Sequence, residues 1–270
     1  MIPRKKPGFT AGVYRDALCA RVAPGLSHGH QAMSSARVTV LCCVGFFLCL
    51  CAGAAGQSSD AVWELWPEVT AYSGIHRGLR GIVTAQTIQG VNFPYHQWAG
   101  LAEIGYQLKR MAQPHLRNIN EDKEHHFVIA SSYEYLRTTQ PGKTSNENRA
   151  RIDVTSHYRL GAAFLLADRN RIEFRWVNGE YSTRYRNRFT VERDFEIRKF
   201  RITPYTSIEA FYDGKHHSWN EIQYAFGVQL PYKQILMLDT YYMGQNCTTC
   251  EPNPLSIWGL TLNLYFRSRR

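Results

Sequence analysis

The feature that most limits what this chain can fold into is a two-residue hydrophobic period that recurs from residue 61 to the end. About eleven segments, each of roughly ten residues, alternate apolar with polar side chains, and turn-like residues separate them. Successive side chains of a strand point to opposite sides of a sheet, so each segment has one apolar and one polar face. Segment 255–266 sets Trp258, Leu260, Leu262, Leu264 and Phe266 against Ile257, Gly259, Thr261, Asn263 and Tyr265. Segment 219–230 sets Ile222, Tyr224, Phe226, Val228 and Leu230 against Glu221, Gln223, Ala225, Gly227 and Gln229. Segments 98–108, 149–160, 171–177 and 200–212 follow the same rule. No part of 61–270 sustains a helical period.

A soluble antiparallel sheet alternates as well. Two features favour a wall in lipid. Aromatic residues gather near the ends of the apolar faces, as with Trp258 and Phe266 or Trp98 and Tyr106, where interface girdles belong. The polar faces repeat Arg and Glu in segment after segment, more charge than a solvent face needs. Hydrocarbon leaves no partner for an open sheet edge, so a wall in lipid must close. The expected fold is therefore an all-β, antiparallel transmembrane β-barrel of 10–12 strands, of the outer-membrane type. Single-chain bacterial barrels have even strand numbers. Eleven segments should then resolve into twelve if 61–72 breaks at Pro67, or into ten if that segment lies outside the wall. The longest loops are expected at 109–124, 138–147 and 245–255. The last segment ends in Phe266, four residues before the end, whereas assembly machinery usually reads a terminal aromatic.

The N-terminal part reads differently. Arg37, an apolar run from Val38 to Ala52, and Ala54-Ala55-Gly56 have the order of a secretory signal peptide. The expected division is 1–32 as an over-extended start or disordered leader, 33–56 as a cleaved signal, and 57–270 as the barrel. Loss of 1–56 removes six Lys/Arg and one Asp, lowering the formal net charge from +10 to about +5. A nucleic-acid partner is then not expected, because that reading needs clustered charge. Only Cys247 and Cys250 remain, with two residues between them, and an oxidising compartment favours a loop disulfide over a redox or metal site. The expected location is the bacterial outer membrane. The expected partners are its lipid, the barrel-assembly machinery, and small ions or solutes.

From about 170 to 245 the blocks are distinctive. Asn170-Arg171-Ile172-Glu173-Phe174-Arg175 precedes Arg184-Tyr185-Arg186-Asn187-Arg188-Phe189, and then come Pro204-Tyr205, Glu209-Ala210-Phe211-Tyr212-Asp213 and Asp239-Thr240-Tyr241-Tyr242. In these blocks the chain resembles the bacterial family known as domain of unknown function 2490, over roughly 60–268. The resemblance implies an outer-membrane β-barrel. It brings no activity and no catalytic residue.

If the apolar faces meet lipid, the lumen receives Arg151, Arg159, Arg171, Arg175, Arg184, Arg186, Arg188 and Arg201, together with Glu103, Glu134, Asp153, Glu173, Glu192, Glu209, Glu221 and Asp239. A charge on the lipid face would cost roughly 2–4 kcal/mol per Arg at mid-depth, which favours the inward assignment. Guanidinium–carboxylate forks would satisfy both signs. The expected function is a narrow pore for small polar or charged solutes, with this strip as its lining. The alternative is a closed structural barrel, or one that binds through its loops. No enzyme is expected: Ser156 and His157, beside Asp153, are adjacent in a strand and point to opposite faces. No cofactor or metal is expected either, since His125-His126 and His216-His217 read as loop residues.

Overall fold

The computed structural model describes residues 62–111, 119–161, 164–198, 200–250 and 253–266. The leader and signal assignments lie outside the described residues. The strands are β1 (Val62–His76), β2 (Leu79–Gly90), β3 (His96–Arg110), β4 (His125–Gln140), β5 (Lys143–Leu160) and β6 (Phe164–Val177). They continue with β7 (Glu180–Arg193), β8 (Phe195–Ile197), β9 (Phe200–Asp213), β10 (Ser218–Tyr232), β11 (Leu236–Cys247) and β12 (Leu255–Phe266). A short 3-10 helix, η1 (Glu121–Glu124), lies between β3 and β4.

Each strand pairs with the next through antiparallel ladders, and the three-residue β8 continues β7 past Asp194, pairing with β9 in the same register. The ring closes between β1 and β12, which run parallel from Val62 opposite Leu255 to Ser73 opposite Phe266. The wall is thus a closed barrel of eleven strands and mixed sense. This corrects two expectations, the even count and the wholly antiparallel pairing. Segment 61–72 neither breaks nor leaves the wall. The β2 ladder instead passes over Trp66 and Pro67, whose ring has no N–H to donate, and resumes at Glu68. A parallel last pair lets an odd number of strands close.

The connections follow local chemistry. Asn178-Gly179 turns β6 into β7 with φ of 49° and 92°, the signature of a two-residue turn that matches strand twist. Pro141-Gly142 does the same work between β4 and β5, so the long loop expected at 138–147 is a two-residue turn. The β3–β4 connection is long, and its described residues 119–124 reach into the barrel.

Alternation sorts the side chains. Val83, Ile104, Ile129, Ile152, Ile172, Ile208, Ile222 and Leu260 stand exposed on the outside. An outer belt of rings surrounds the end where β1 begins, here called the upper end. It includes Trp98 against Tyr135, Trp176 against Tyr181, Tyr212 against Trp219, and Tyr242 against Trp258. Tyr106, Phe127, Tyr158, Phe164, Tyr232 and Phe266 stand exposed near the lower end. A polar cluster on β6 and β7 interrupts the outer face. Asn187 donates to Asp168 at 2.7 Å and Tyr185 donates to Asn170 at 2.5 Å, so these side chains largely satisfy one another.

Glycines place three tyrosine rings. Tyr205 crosses Gly227, Tyr224 crosses Gly244 and Tyr241 crosses Gly259, each pair directly opposed in register. A Cβ on Gly259 would stand 1.9 Å from a Tyr241 ring carbon. The missing side chains are what let the rings lie flat across the neighbouring strand.

Candidate functional site

The inward faces enclose a polar chamber of about 750 Å³. Its lining reaches from Glu64, Gln97 and Gln245 near the upper end to Asn120, Asp122 and Lys123 at the bottom. A second hollow at the upper rim, lined by Gln97, Lys143, Glu147, Arg149 and Arg175, adjoins it.

The wall from β4 to β9 carries most of the charge. Glu209 of β9, only 2% exposed, accepts from Arg186 Nε at 2.9 Å and Nη2 at 3.0 Å, from Arg188 Nε at 2.8 Å, and from Arg169 Nη2 at 2.9 Å. Glu173 of β6 has no exposed surface and holds Arg184 at 2.8 Å and Arg186 at 3.0 Å. Asp153 holds Arg171 at 2.6 Å. Glu147 is shared by Arg149 and Arg175, and Glu134 by Arg149 and Arg151. Eight guanidiniums therefore rest on five carboxylates, and Arg149, Arg169, Arg171 and Arg186 each bridge two of them. Arg184 and Arg186 also lie over the Phe211 ring, which keeps their planes stacked in the wall. Buried carboxylates need such donors, because an unpaired ion in a low dielectric is far costlier than one in water.

The opposite wall is built otherwise. β1, β11 and β12 supply Thr70, Thr261, Asn263, Met237, Met243 and Tyr241. Their acids take neutral donors. Glu64 accepts from Trp66 Nε1 at 2.7 Å, and Glu68 from Thr70 and Gln86 at 3.1 Å. Asp239 accepts from Tyr205 at 3.0 Å and from Gln229 at 3.2 Å.

Helix η1 forms the floor. Asn120 caps it by accepting from the Asp122 amide at 3.1 Å. Asp122 pairs with Arg80 of β2 and accepts from Gln107 of β3 at 2.7 Å. Lys123 reaches the other side, to Glu192 of β7 at 2.5 Å and Gln229 of β10 at 2.9 Å. Ile119 packs with Met237, Tyr265 and Tyr72. Neighbouring residues of one turn thus hold opposite sides of the lumen. Burial raises the Asp122 carboxyl above its ordinary range, with the Arg80 guanidinium opposing.

Most of the expected lumen residues meet here. Arg151, Asp153, Arg171, Arg184, Arg186, Arg188, Glu209, Glu221, Asp239, Glu103 and Glu134 line the chamber. Arg175 lines the rim, and Glu173 is buried behind the arginines that cover it. Glu192 is engaged by Lys123. Arg159 shares the inward parity of β5 but not the chamber lining, and its Nε is buried without a hydrogen-bond partner. Arg201 shares the inward parity of Glu209 in β9 and opposes Glu196 at the lower end of the β8–β9 ladder, but it does not line the chamber. The sequence reading missed Arg80, Arg149, Arg169, Glu147 and Lys123. The first four share the parity of their neighbours, so a longer alternation window would have reached them. Lys123 belongs to a loop with no period at all.

Cys247 and Cys250 are joined in a disulfide in the β11–β12 connection, as their spacing suggested. Glu221 lies within 4.8 Å of both sulfurs, but a disulfide offers no thiolate to a metal. His157 faces inward, its Nδ1 2.9 Å from the His125 carbonyl, while Ser156 faces out. The pair cannot act together.

Fold and chamber together define the class: an eleven-stranded β-barrel with an arginine–carboxylate wall and a docked internal segment. The chain belongs to the family described as Protein of unknown function (DUF2490), which matches residues 118–253. That span holds η1 and β4–β11, the whole charged wall, and is narrower than the 60–268 of the sequence resemblance. No curated protein matches the chain.

Proposed function

We propose that the chain is an integral outer-membrane barrel and a narrow conduit for small polar or charged solutes, with η1 setting its narrowest point. The observation that carries this reading is the inverted distribution of polarity. Apolar side chains and two aromatic belts cover the outside, while a continuous polar chamber fills the inside. Such a surface suits hydrocarbon between two interfaces. An eleven-stranded ring is narrower than the 16–18-stranded porins, so its solutes are small. The role is non-catalytic, and its surroundings are lipid, the assembly machinery and the solutes themselves. Export through a cleaved signal is part of the same reading.

Conductance of the refolded 57–270 chain in a planar bilayer tests it. Small discrete steps are expected, and they should grow when Asp122→Asn and Lys123→Met together release η1 from Arg80 and Glu192. Silence from both forms, with folding confirmed by heat-modifiable gel migration, would leave the closed structural barrel.

A further inference from the structure

The charge in the chamber is separated from side to side. Three arginine pairs stand directly opposite each other in register: Arg149 with Arg175, Arg171 with Arg186, and Arg169 with Arg188. Like charges so placed repel, and each pair tolerates the arrangement by sharing a carboxylate. The first shares Glu147 and the second Glu173. The third shares Glu209, on which Arg186 also draws, and Arg169 adds only a 4.0 Å approach to the Asp153 that Arg171 holds at 2.6 Å. Arg169 and Arg188 are thus the least compensated pair. Both line the chamber, and the Arg188 side chain is 34% exposed there.

Across the lumen the deficit has the other sign. Glu68 and Asp239 line the same chamber with no ion-pair partner among the described residues, only the neutral donors Thr70, Gln86, Tyr205 and Gln229. Glu68 on β1 stands five strands from Arg169 on β6, nearly half of the eleven-stranded ring, and Asp239 on β11 stands three strands from Arg188 on β7. The chamber is therefore a fixed dipole, cationic at Arg169/Arg188 and anionic at Glu68/Asp239.

We propose that this chamber binds a small zwitterion, its carboxylate on the Arg169/Arg188 pair and its ammonium toward Glu68 and Asp239. A guanidinium fork matches a carboxylate and has donors to spare beyond those given to Glu209. A bare anion gains the arginines but meets uncompensated carboxylates opposite, and a bare amine meets the reverse. Only a solute with both charges gains on both sides. The inference deepens the conduit reading and rests on it for any transport meaning. Binding itself needs only the chamber.

Calorimetry on the refolded, detergent-solubilised 57–270 barrel tests it, with free alanine as zwitterion, inorganic phosphate as anion and ethylamine as cation. Alanine should bind about tenfold more tightly than either single-charge probe. Arg188→Gln on one wall and the double change Glu68→Gln, Asp239→Asn on the other should each weaken alanine by about tenfold in barrels that still show heat-modifiable migration. The second variant keeps the test alive if the first fails to fold. Phosphate binding as tightly as alanine would overturn the proposal in favour of a plain anion lining. Ethylamine doing so would overturn it in favour of a cation lining, and no binding of alanine to the folded barrel would also overturn it. Alanine binding in a barrel that never conducts would sink the conduit and leave this site standing.

Discussion

Strands β5–β9 and strands β11, β12 and β1 line one lumen and fill it by opposite means. The first set uses long side chains in an ion-pair lattice, where Glu173 and Glu209 are sealed beneath the arginines they bind. The second uses small and aromatic residues, with the Tyr241 ring laid over Gly259 and Tyr72 stacked on Tyr265 at 4.5 Å. On the outside the two sets look alike, Ile172 on one and Leu262 on the other. The difference shows that the inner surface of a barrel can be stiffened by charge or by shape. Charge demands complete partnering, because removing one member strands the others. Shape demands an empty position, because a single methyl group fills the space a ring needs.

This contrast can be broken experimentally. Glu209→Gln should have the largest effect, since three guanidiniums lose their common anion. A loss of roughly 3–5 kcal/mol is expected, read as a shift of the urea midpoint in micelles. An unchanged midpoint would mean that the lattice adds nothing to stability. Next come Ile172→Arg and Leu262→Arg. Both should impair insertion into vesicles by an equal amount, roughly 2–4 kcal/mol each at mid-depth, because the two exteriors share one environment. Unequal effects would show that the outer faces differ after all, and normal insertion of both would reverse the assignment of faces. Gly259→Ala should cost about 1–3 kcal/mol by driving the Tyr241 ring off the wall. Adding Tyr241→Ala should recover part of that loss if the ring is the cause, a coupling the double-mutant cycle measures directly. The smallest effect belongs to Lys215→Ala, which removes an exposed pair with Glu180 at 3.8 Å. Its midpoint should stay within about 0.5 kcal/mol of the parent chain.

Much of the wall was legible in the sequence. The faces of 221–230 and 255–266 match the structure residue for residue, because a period of two has only two phases and one apolar run fixes the choice; a bulge between Trp219 and Glu221 shifts the phase before them. Cys247 and Cys250 were legible for a similar reason, being close in the chain. What escaped depends on partners far away in sequence. Arg169 and Arg188 oppose each other only through the β6–β7 register. Tyr241 over Gly259 is invisible until β11 meets β12. Residues 143–148 look like loop because Thr, Ser and Asn dominate, yet they extend β5 beyond the apolar belt. The strand parity failed because the even rule assumes an antiparallel seam. The docking of η1 failed because Asp122 and Lys123 carry no pattern, only complementary charges waiting on β2 and β7.

The parallel seam has a consequence for how the chain is threaded. In an even, wholly antiparallel barrel the first and last strands form a hairpin-like pair, and both ends of the wall leave from the same rim. Here Val62 begins at the upper rim and Phe266 ends at the lower one. In the proposed setting the two flanks of the barrel therefore open into different compartments. An epitope placed before β1 and one placed after β12 would be reached from opposite sides of a single bilayer.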